Sequence, residues 1–313
     1  IIGMVGSIDY NNDAIDGNVN VTISLRQPGS TMKPFTYAAA MELGMTAGDV
    51  LWDTPVEVPQ AGQAPYVPVN YDRSFHGPMT IRRALANSYN IPAVQALRLT
   101  GVDYLLNMMD RVGVSTLTDP SRYGISLTLG GGEVSLLELT NAYGVFANVG
   151  TYVPPTSILC VIDSNDNIVY QYEGGCPQGA GTFTSNTIDR RGFGEQVLDP
   201  RIAFTITDIL SDNAARSPEM GGNSPLNTPS IGTAAKTGTT NDIKDNWTIG
   251  YTRNVVIGVW VGNNNGDPMV NSSGLTSAAP IWNSIMTSIY NNASALDVFR
   301  SDGQLLPDIP NPP

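Results

Sequence analysis

The sequence predicts an α+β fold that has an antiparallel sheet near its C-terminal end. Three segments, 233–239, 247–252 and 255–262, are rich in β-branched and aromatic residues, and a short turn at Thr252-Arg253-Asn254 joins the last two. Apolar positions at helical spacing before and after these segments predict helices. Helices that are segregated from an antiparallel sheet along the chain indicate the α+β class.

The helices are predicted from apolar periodicity and from the residues that start and stop them. The first covers residues 31–43 and ends at Gly44, a natural stop. Pro34 is tolerated because it lies in the first turn, where its missing N–H has no partner within the helix. The other predicted helices cover residues 80–86, 92–99, 135–148, 200–212 and 279–290.

The start of the chain is predicted to be extended. Residues 19–25 alternate apolar and polar side chains, and the opening Ile1-Ile2-Gly3-Met4-Val5-Gly6 resembles a strand already under way. No apolar stretch is long enough to cross a bilayer, and no signal peptide opens the chain. We therefore expect a fragment whose targeting or membrane segment lies upstream.

The composition excludes one class of partner. The formal net charge is −12, from 16 Lys and Arg against 28 Asp and Glu. A nucleic-acid surface needs clustered Lys and Arg to neutralise phosphates, so no nucleic-acid partner is expected.

Cys160 and Cys176 flank a predicted hairpin, with strands at 158–162 and 168–172. A disulfide between them would close a loop of about 15 residues and contribute roughly 3 kcal/mol in the chain-entropy model. Two unpaired thiols are the alternative, because Cys176 lies beyond the position opposite Cys160. The sequence leaves both alternatives open.

The scarcity of histidine and cysteine excludes several classes of catalytic and metal site. The single histidine, His76, would have to serve any Ser-His-Asp triad, yet no serine has the surrounding pattern of a nucleophile elbow. One histidine and two cysteines give no zinc-ligand spacing, and no dinucleotide or phosphate-binding loop is present. The glycine run at residues 130–132 is interpreted as a helix-entry turn. We therefore expect neither a metal nor another cofactor.

The first motif whose residues could take part in catalysis is Ser30-Thr31-Met32-Lys33. Positions i and i+3 lie on one helix face, so the Lys33 amine can approach the Ser30 hydroxyl. A helix N-terminus after Pro28-Gly29 would direct backbone N–H groups at Ser30 and activate it as a nucleophile. Alone the motif is weak evidence for catalysis, since Ser30 could equally be a helix cap and Lys33 could lie on a solvated face. The apolar flanks instead predict a buried helix, where a free lysine is costly.

The second motif is Ser88-Tyr89-Asn90, between two predicted helices. Its hydroxyl could relay a proton, and its amide could bind both a lysine and a substrate carbonyl. Alone it is almost uninformative, because Ser and Asn are common in turns between helices.

The third motif is Lys236-Thr237-Gly238-Thr239-Thr240 on a predicted strand. Lysine and glycine are both depleted in sheet interiors. Gly238 would let a ligand approach the backbone, and Thr237 and Thr239 share one face because side chains alternate along a strand. A strand with a bulge is the structural alternative for this motif. The order S-x-x-K, S-x-N and K-T-G, however, matches that of β-lactamases and penicillin-binding proteins.

With these motifs and their flanks, the chain resembles the transpeptidase domain of class A (bifunctional) penicillin-binding proteins along nearly its whole length. The resemblance lies in residues 26–35, 70–72, 85–94, 133–139, 236–240, 245–262 and 279–282. It implies a penicillin-binding/serine β-lactamase-like fold, with a five-stranded antiparallel sheet flanked by helices and a helical subdomain. The edge strand with which such domains begin is expected to be absent or short here.

The resemblance also implies roles for individual residues in acyl transfer. Ser30 would be the acylated nucleophile, and neutral Lys33 would take its proton. Ser88 would pass that proton to the departing D-alanine amine, and Asn90 would hold Lys33 and the substrate amide. Burial and the like charge of Lys236 would both depress the pKa of Lys33.

The same resemblance assigns the substrate-binding residues. Lys236, Thr237 and Thr239 would bind the terminal carboxylate of the substrate, next to Gly238. The backbone N–H groups of Ser30 and Thr239 would form the oxyanion hole.

The implied partners are peptidoglycan stem peptides, as D-Ala-D-Ala donor and amine acceptor, β-lactams, and other cell-wall synthesis proteins. The expected location is the extracytoplasmic face of the bacterial membrane, through an upstream anchor. Residues 1–313 would form the transpeptidase domain, with 306–313 as an extended Pro-rich tail. The family's glycosyltransferase domain and membrane anchor are not in this chain.

Three rival functions share this fold. A β-lactamase needs a deacylating glutamate between the second and third motifs. Glu138 superficially fits, but it lies in a periodic helix and is better interpreted as structural. A D,D-carboxypeptidase would carry the same motifs. A non-catalytic β-lactam sensor or peptidoglycan-binding module would keep the fold, but the intact Ser30, Lys33 and Lys236 argue against lost chemistry.

Overall fold

The computed structural model describes residues 1–60, 62–165, 167–172 and 194–292, and it confirms the α+β fold. Eight α-helices lie within these residues: α1 (Lys33–Glu42), α2 (Ile81–Ala86), α3 (Asn90–Thr100), α4 (Val102–Arg111), α5 (Leu136–Ala147), α6 (Pro200–Ser211), α7 (Asn213–Met220) and α8 (Ala279–Asn291). The six predicted helices are confirmed, with ends that agree to within two residues. Helices α4 and α7 were not predicted.

The same residues contain eleven strands: β1 (Val50–Asp53), β2 (Val58–Gln60), β3 (Gln63–Tyr66), β4 (Gly77–Thr80), β5 (Thr151–Tyr152), β6 (Cys160–Ile162), β7 (Ile168–Gln171), β8 (Glu195–Gln196), β9 (Ala234–Thr239), β10 (Asp245–Tyr251) and β11 (Val256–Gly262). The three predicted C-terminal strands form one antiparallel sheet in the order β11-β10-β9. The remaining strands form two-stranded sheets. Within the described residues the central sheet therefore has three strands, two fewer than the family resemblance implies.

Helices cover both faces of the central sheet. On one face, helices α1, α3, α5 and α6 form the main core with buried sheet residues such as Trp247, Ile249 and Tyr251. On the other face, α8 packs Trp282 and Met286 against a smaller buried cluster. The packing of these layers places strand β9, which carries the third motif, against the start of α1, which carries the first motif.

Helix α1 is buried almost throughout, as its alanine-rich sequence predicts. Its α-helical hydrogen bonding begins at Lys33, two residues later than predicted, and a 3₁₀ turn (Gly29–Met32) precedes it. Ser30 therefore lies in that tighter turn and not within the α-helix. The backbone N–H of Lys33 donates to the Ser30 carbonyl and makes the turn continuous with the helix.

The predicted extended start of the chain is wrong. Residues 1–25 contain no strand, and turns lie within residues 8–24, for example one closed by the Val19 N–H and the Asp16 carbonyl at 2.9 Å. The Asn20 side chain accepts from both the backbone N–H and the hydroxyl of Thr22, at 3.1 and 2.6 Å. Such local side-chain bonds offer the backbone an alternative to a ladder.

The hairpin at the first cysteine is confirmed, with β6 and β7 paired antiparallel. Cys160 is disulfide-bonded, while Cys176 lies outside the described residues. The expected Pro-rich tail, 306–313, also lies outside them. Among the helices of the described part of the chain, none combines the length and the apolar character that a bilayer crossing requires.

Candidate active site

The three motifs meet in one place, although they are far apart in sequence. Ser30 is partly buried in the 3₁₀ turn before α1. The turn is pressed against strand β9, because a Cβ added at Gly29 would lie 2.8 Å from the Thr239 carbonyl oxygen and 2.9 Å from its nitrogen. The backbones of residues 29 and 239 are therefore in direct contact next to Ser30, where the oxyanion hole was predicted.

Lys33 extends from α1 toward the second motif, and it is fully buried. Its Nζ donates to the Ser88 carbonyl, to Ser88 Oγ at 3.3 Å and to Asn90 Oδ1 at 2.6 Å. Burial, reinforced by the charge of Lys236 and opposed by Asp53, lowers the pKa of Lys33 well below its usual value. A lysine with a lowered pKa can be neutral near pH 7 and accept a proton.

The sequence predicts that the Lys33 amine approaches the Ser30 hydroxyl, but the hydrogen bonds of Lys33 go to other residues. Within the described residues Nζ bonds to Ser88 and Asn90, and no hydrogen bond joins it to Ser30 Oγ. Hydrogen bonds of catalytic groups are often long or misaligned without substrate and tighten only in the complex. The i and i+3 spacing still keeps both groups on one side of the helix start.

The second motif is a strained turn between α2 and α3. Ser88 has φ = 61°, a left-handed conformation that few non-glycine residues adopt. Asn90 starts α3, and its amide is oriented by two bonds: Oδ1 accepts from Lys33, and Nδ2 donates to the Val69 carbonyl at 2.7 Å. An amide has two Nδ2 hydrogens, so one further donor of Asn90 is not used by the Val69 contact.

Lys236 contacts the same Ser88 hydroxyl from strand β9. Its Nζ donates to Ser88 Oγ at 2.7 Å and to the Thr237 carbonyl at 2.9 Å. Burial, followed by the positive charge of Arg216, lowers the pKa of Lys236 to about 7. The Ser88 hydroxyl therefore lies between two buried amines, which is the arrangement that a proton relay requires.

The threonines of the third motif retain hydrogen-bonding capacity. The Thr239 hydroxyl accepts from the Gly274 N–H at 3.0 Å and keeps its own proton for donation. Thr237 lies one residue after Lys236 on β9 and is nearly buried. Strand alternation puts these two threonines on one face, as predicted.

Gly238 is required by a close contact that the sequence did not predict. A Cβ at Gly238 would lie 2.3 Å from the Pro28 carbonyl oxygen. The nucleophile turn therefore approaches the backbone of β9 closely enough to demand glycine, and the approach of a ligand at this position stays a prediction. Gly130, which was interpreted as part of a helix-entry turn, plays a similar part: with φ = 87°, it would place a Cβ 2.2 Å from the Gly29 nitrogen.

Asn70 and Asp53, two polar residues to which no role was assigned from the sequence, support the second motif. Asn70 Oδ1 accepts from the Asn90 N–H at 2.7 Å, and its Nδ2 donates to both carboxylate oxygens of buried Asp53 at 2.8 Å. Asn70 belonged to segment 70–72, which resembles the family. Its distance along the chain from the second motif gave no indication that it contacts Asn90. Arg216 was missed because it lies on the unpredicted helix α7.

The two residues that competing mechanisms would need lie outside this arrangement. His76 bonds to Asp53 and Asp72 and stacks on Tyr89, with ring centroids 4.1 Å apart. Glu138 forms the capping box of α5 with Ser135 and accepts from Ser115. The interpretation of Glu138 as structural is therefore confirmed.

Comparison with known proteins agrees with this geometry. The model of the family described as penicillin binding protein transpeptidase domain matches residues 1–287. Penicillin-binding protein 1A from Neisseria lactamica is 34% identical over 282 residues, which cover 89% of this chain and 33% of that protein. The counterpart from Rickettsia typhi is 28% identical, over 98% of this chain and 40% of that protein. The chain belongs to the penicillin-binding protein transpeptidase family.

Solved structures support the same assignment. The crystal structure of penicillin-binding protein 1A from Haemophilus influenzae superposes with a TM-score of 0.73 and 27% identity, over 89% of this chain and 44% of that one. The penicillin-binding protein PonA1 from Mycobacterium tuberculosis shares the fold, with a TM-score of 0.74 and 23% identity over 95% of this chain and 74% of that one. The chain spans about a third of the length of the first curated relatives it matches, 33% in each case.

Proposed function

We propose that this chain is a serine D,D-transpeptidase that cross-links peptidoglycan stem peptides through a Ser30 acyl-enzyme. The observation that carries the proposal is the Ser88 hydroxyl, which lies 3.3 Å from Lys33 Nζ and 2.7 Å from Lys236 Nζ. A hydroxyl between two buried amines with lowered pKa values can move a proton in either direction. This arrangement replaces the histidine of a Ser-His-Asp triad.

The reaction begins with acylation. Ser30 Oγ attacks the carbonyl carbon of the D-Ala-D-Ala amide, and its proton passes to neutral Lys33. As the C–N bond breaks, Ser88 delivers a proton to the amine of the leaving D-alanine and regains one from Lys33. The products of this half-reaction are an ester at Ser30 and free D-alanine.

Transfer to the second peptide reverses these proton movements. The acceptor amine attacks the ester carbonyl and loses a proton to Lys33, and Ser30 leaves with a proton. One amide has been exchanged for another, and no water is consumed. The backbone N–H groups of Ser30 and Thr239 stabilise the oxyanion in both steps, since the two segments are in contact at Gly29.

The donor is recognised by its terminal carboxylate. Protonated Lys236 supplies positive charge, and the hydroxyls of Thr237 and Thr239 donate hydrogen bonds from one strand face. Asn90 holds the substrate amide with its second Nδ2 hydrogen. β-Lactams carry a comparable carboxylate next to a strained amide, so we propose that they acylate Ser30 and inhibit the enzyme.

We further propose that the domain works at the extracytoplasmic face of the bacterial membrane, where peptidoglycan is cross-linked. The disulfide at Cys160 supports this location, because structural disulfides persist mainly in oxidising compartments. Other cell-wall synthesis proteins are the expected neighbours of the enzyme there.

The activity is tested with a D-Ala-D-Ala donor peptide, supplied with and without an amine acceptor, while the products are followed by mass spectrometry. We expect free D-alanine and a donor–acceptor amide from the wild type, and neither product from Ser30→Ala. Ser164→Ala, which removes the hydroxyl of an exposed serine, is the matched control. Release of D-alanine with only the hydrolysed donor would instead identify a D,D-carboxypeptidase.

A further inference from the structure

Three side chains with metal-ligand atoms converge behind the second motif, outside the proposed acyl-transfer site. His76 Nε2 lies 3.1 Å from Asp72 Oδ2 and 3.8 Å from Glu219 Oε1. One donor atom from each of the three residues lies within 4.8 Å of the other two. Their side chains are 20%, 27% and 22% exposed for His76, Asp72 and Glu219, so solvent and ions can reach the cluster.

The two separations from His76 are close to those of donor atoms around one small cation. In a tetrahedral site with bonds of about 2.0–2.2 Å, donor atoms lie about 3.3–3.6 Å apart. The two separations from His76, 3.1 and 3.8 Å, bracket that value. Small rotations of the Asp72 and Glu219 side chains would complete the geometry.

The other nitrogen of the imidazole is held as it is in metal sites. His76 Nδ1 lies 2.6 Å from Asp53 Oδ2, and Asp53 is fully buried. Asp53 also accepts from Asn70 Nδ2 and from the His76 backbone N–H. Metal-binding histidines almost always donate their second N–H to such a carboxylate, which fixes the tautomer and directs the free nitrogen at the metal.

The charges around His76 are unbalanced. Three carboxylates, those of Asp53, Asp72 and Glu219, face this single imidazole, and every ion pair they form within the described residues is with His76. Asp53 also interacts with the charge of Lys33, whereas the carboxylates of Asp72 and Glu219 have ion pairs only with His76 among the described residues. A divalent cation bound to neutral His76 would balance the two outer carboxylates.

We propose that His76, Asp72 and Glu219 bind a divalent transition-metal ion of the Zn²⁺ class, with the remaining position open to water. An imidazole nitrogen with two carboxylates suits Zn²⁺ better than Mg²⁺ or Ca²⁺, which prefer oxygen ligands. No zinc-ligand spacing is visible along the sequence, because Glu219 is contributed by α7, 143 residues after His76.

The bound ion would stabilise the second motif. Burial, followed by the negative charge of Glu219, raises the pKa of the Tyr89 hydroxyl, and the Glu219 backbone N–H donates to Asn87 Oδ1 at 3.1 Å. Tyr89 in turn stacks on the His76 ring. The ion would therefore join α7 to the loop that contains Asp72, on either side of the strained turn at Ser88.

The test is a calorimetric titration of metal-free protein with Zn²⁺, followed by Co²⁺ absorption spectroscopy of the wild type. We expect one ion per chain and the intense visible bands of four-coordinate Co²⁺. His76→Ala and Glu219→Gln should each lose more affinity than the roughly 10–100-fold typical of losing an outer-shell partner. Asp103→Asn makes the same kind of change at an exposed carboxylate on α4 and should bind Zn²⁺ as the wild type does.

Circular dichroism confirms that each variant is folded before it is titrated, and the Co²⁺ spectrum needs no variant at all. Absence of stoichiometric Zn²⁺ binding by the wild type would overturn the proposal, as would a Co²⁺ spectrum of the hexa-aquo type. Unchanged Zn²⁺ affinity in folded His76→Ala and Glu219→Gln would also overturn it. The cluster would then be a histidine–carboxylate network without a metal.

Discussion

At the scale of single residues, different neighbours suit two equally buried lysines to different roles. Lys33 and Lys236 both contact Ser88 and both have lowered pKa values. Lys33 also bonds to Asn90 Oδ1 and lies three residues after the nucleophile, which suits a proton acceptor. Lys236 is next to the two threonines of β9, which suits an anion-binding cation.

Lys33→Ala is expected to slow acylation by a β-lactam by roughly 10³-fold or more, because a base and the nucleophile it activates act as a unit. Lys244→Ala is the matched control, since Lys244 is exposed and lies outside the three motifs. The measurement is the second-order acylation rate with a fluorescent penicillin. Equal rates for the two variants would exclude Lys33 as the base.

The pH dependence of acylation follows from the same lowered pKa values. The rate should rise as Lys33 loses its proton, in a range well below the usual lysine value of 10.5. It should fall again as pH increases above about 7, because Lys236 then loses the charge that attracts the carboxylate. Second-order rates report these groups in the free enzyme. A penicillin rate that stays constant from neutral to alkaline pH would contradict the role of Lys236.

Removal of both hydroxyls of Thr237 and Thr239 should slow acylation by a carboxylate-bearing penicillin by at least about 10²-fold, since each of the two hydrogen bonds to a charged group contributes roughly 1.5–3 kcal/mol. An ester-masked penicillin lacks the anion and should lose little in the same variant. The comparison uses acylation rates of both ligands on both proteins. Equal losses for acid and ester would mean that these threonines shape strand β9 without binding the carboxylate.

At the scale of elements, the turn between α2 and α3 stores strain at a functional position. Ser88 has φ = 61°, which costs a non-glycine residue roughly 1–2 kcal/mol. The turn persists because Lys33 bonds to the Ser88 carbonyl and because Asn70 and Val69 hold Asn90. In this left-handed conformation the Ser88 hydroxyl lies 3.3 Å from Lys33 Nζ and 2.7 Å from Lys236 Nζ.

Ser88→Gly and Ser88→Ala should therefore differ in stability while both lose acylation activity. Glycine relieves the strain but loses more entropy on folding, so we expect Ser88→Gly to be about 0.5–1 kcal/mol more stable than Ser88→Ala. Urea unfolding followed by circular dichroism gives the two free energies. A more stable alanine variant would show that the turn is not strained at this residue.

Elements with strong local signals were predictable from the sequence. Helix α5 has a periodic apolar stripe and a capping box, and β10 and β11 are rich in β-branched and aromatic residues. Helix α7 gave no such signal, because it is short and contains Pro218. The predicted strand at 19–25 failed because Asn20 and its neighbours form local turns.

At the scale of the whole molecule, the site is assembled by backbone packing that motifs do not reveal. Gly130, Gly29 and Gly238 allow three segments to touch, with added Cβ atoms as close as 2.2 to 2.8 Å to neighbouring backbone atoms. The residues to which we assign reacting roles were all visible in the three sequence motifs. The motifs gave neither the Asp53–Asn70 support nor the position of Arg216, because those contacts are made between distant parts of the chain.

The central claim is that Ser30 is the nucleophile of an acyl-transfer site. The most direct measurement is incubation with a β-lactam, followed by intact-mass analysis and peptide mapping. The account predicts one covalent adduct per chain, located on Ser30, and no adduct on the Ser30→Ala variant. An adduct on any other serine, or labelling that persists in Ser30→Ala, would contradict it.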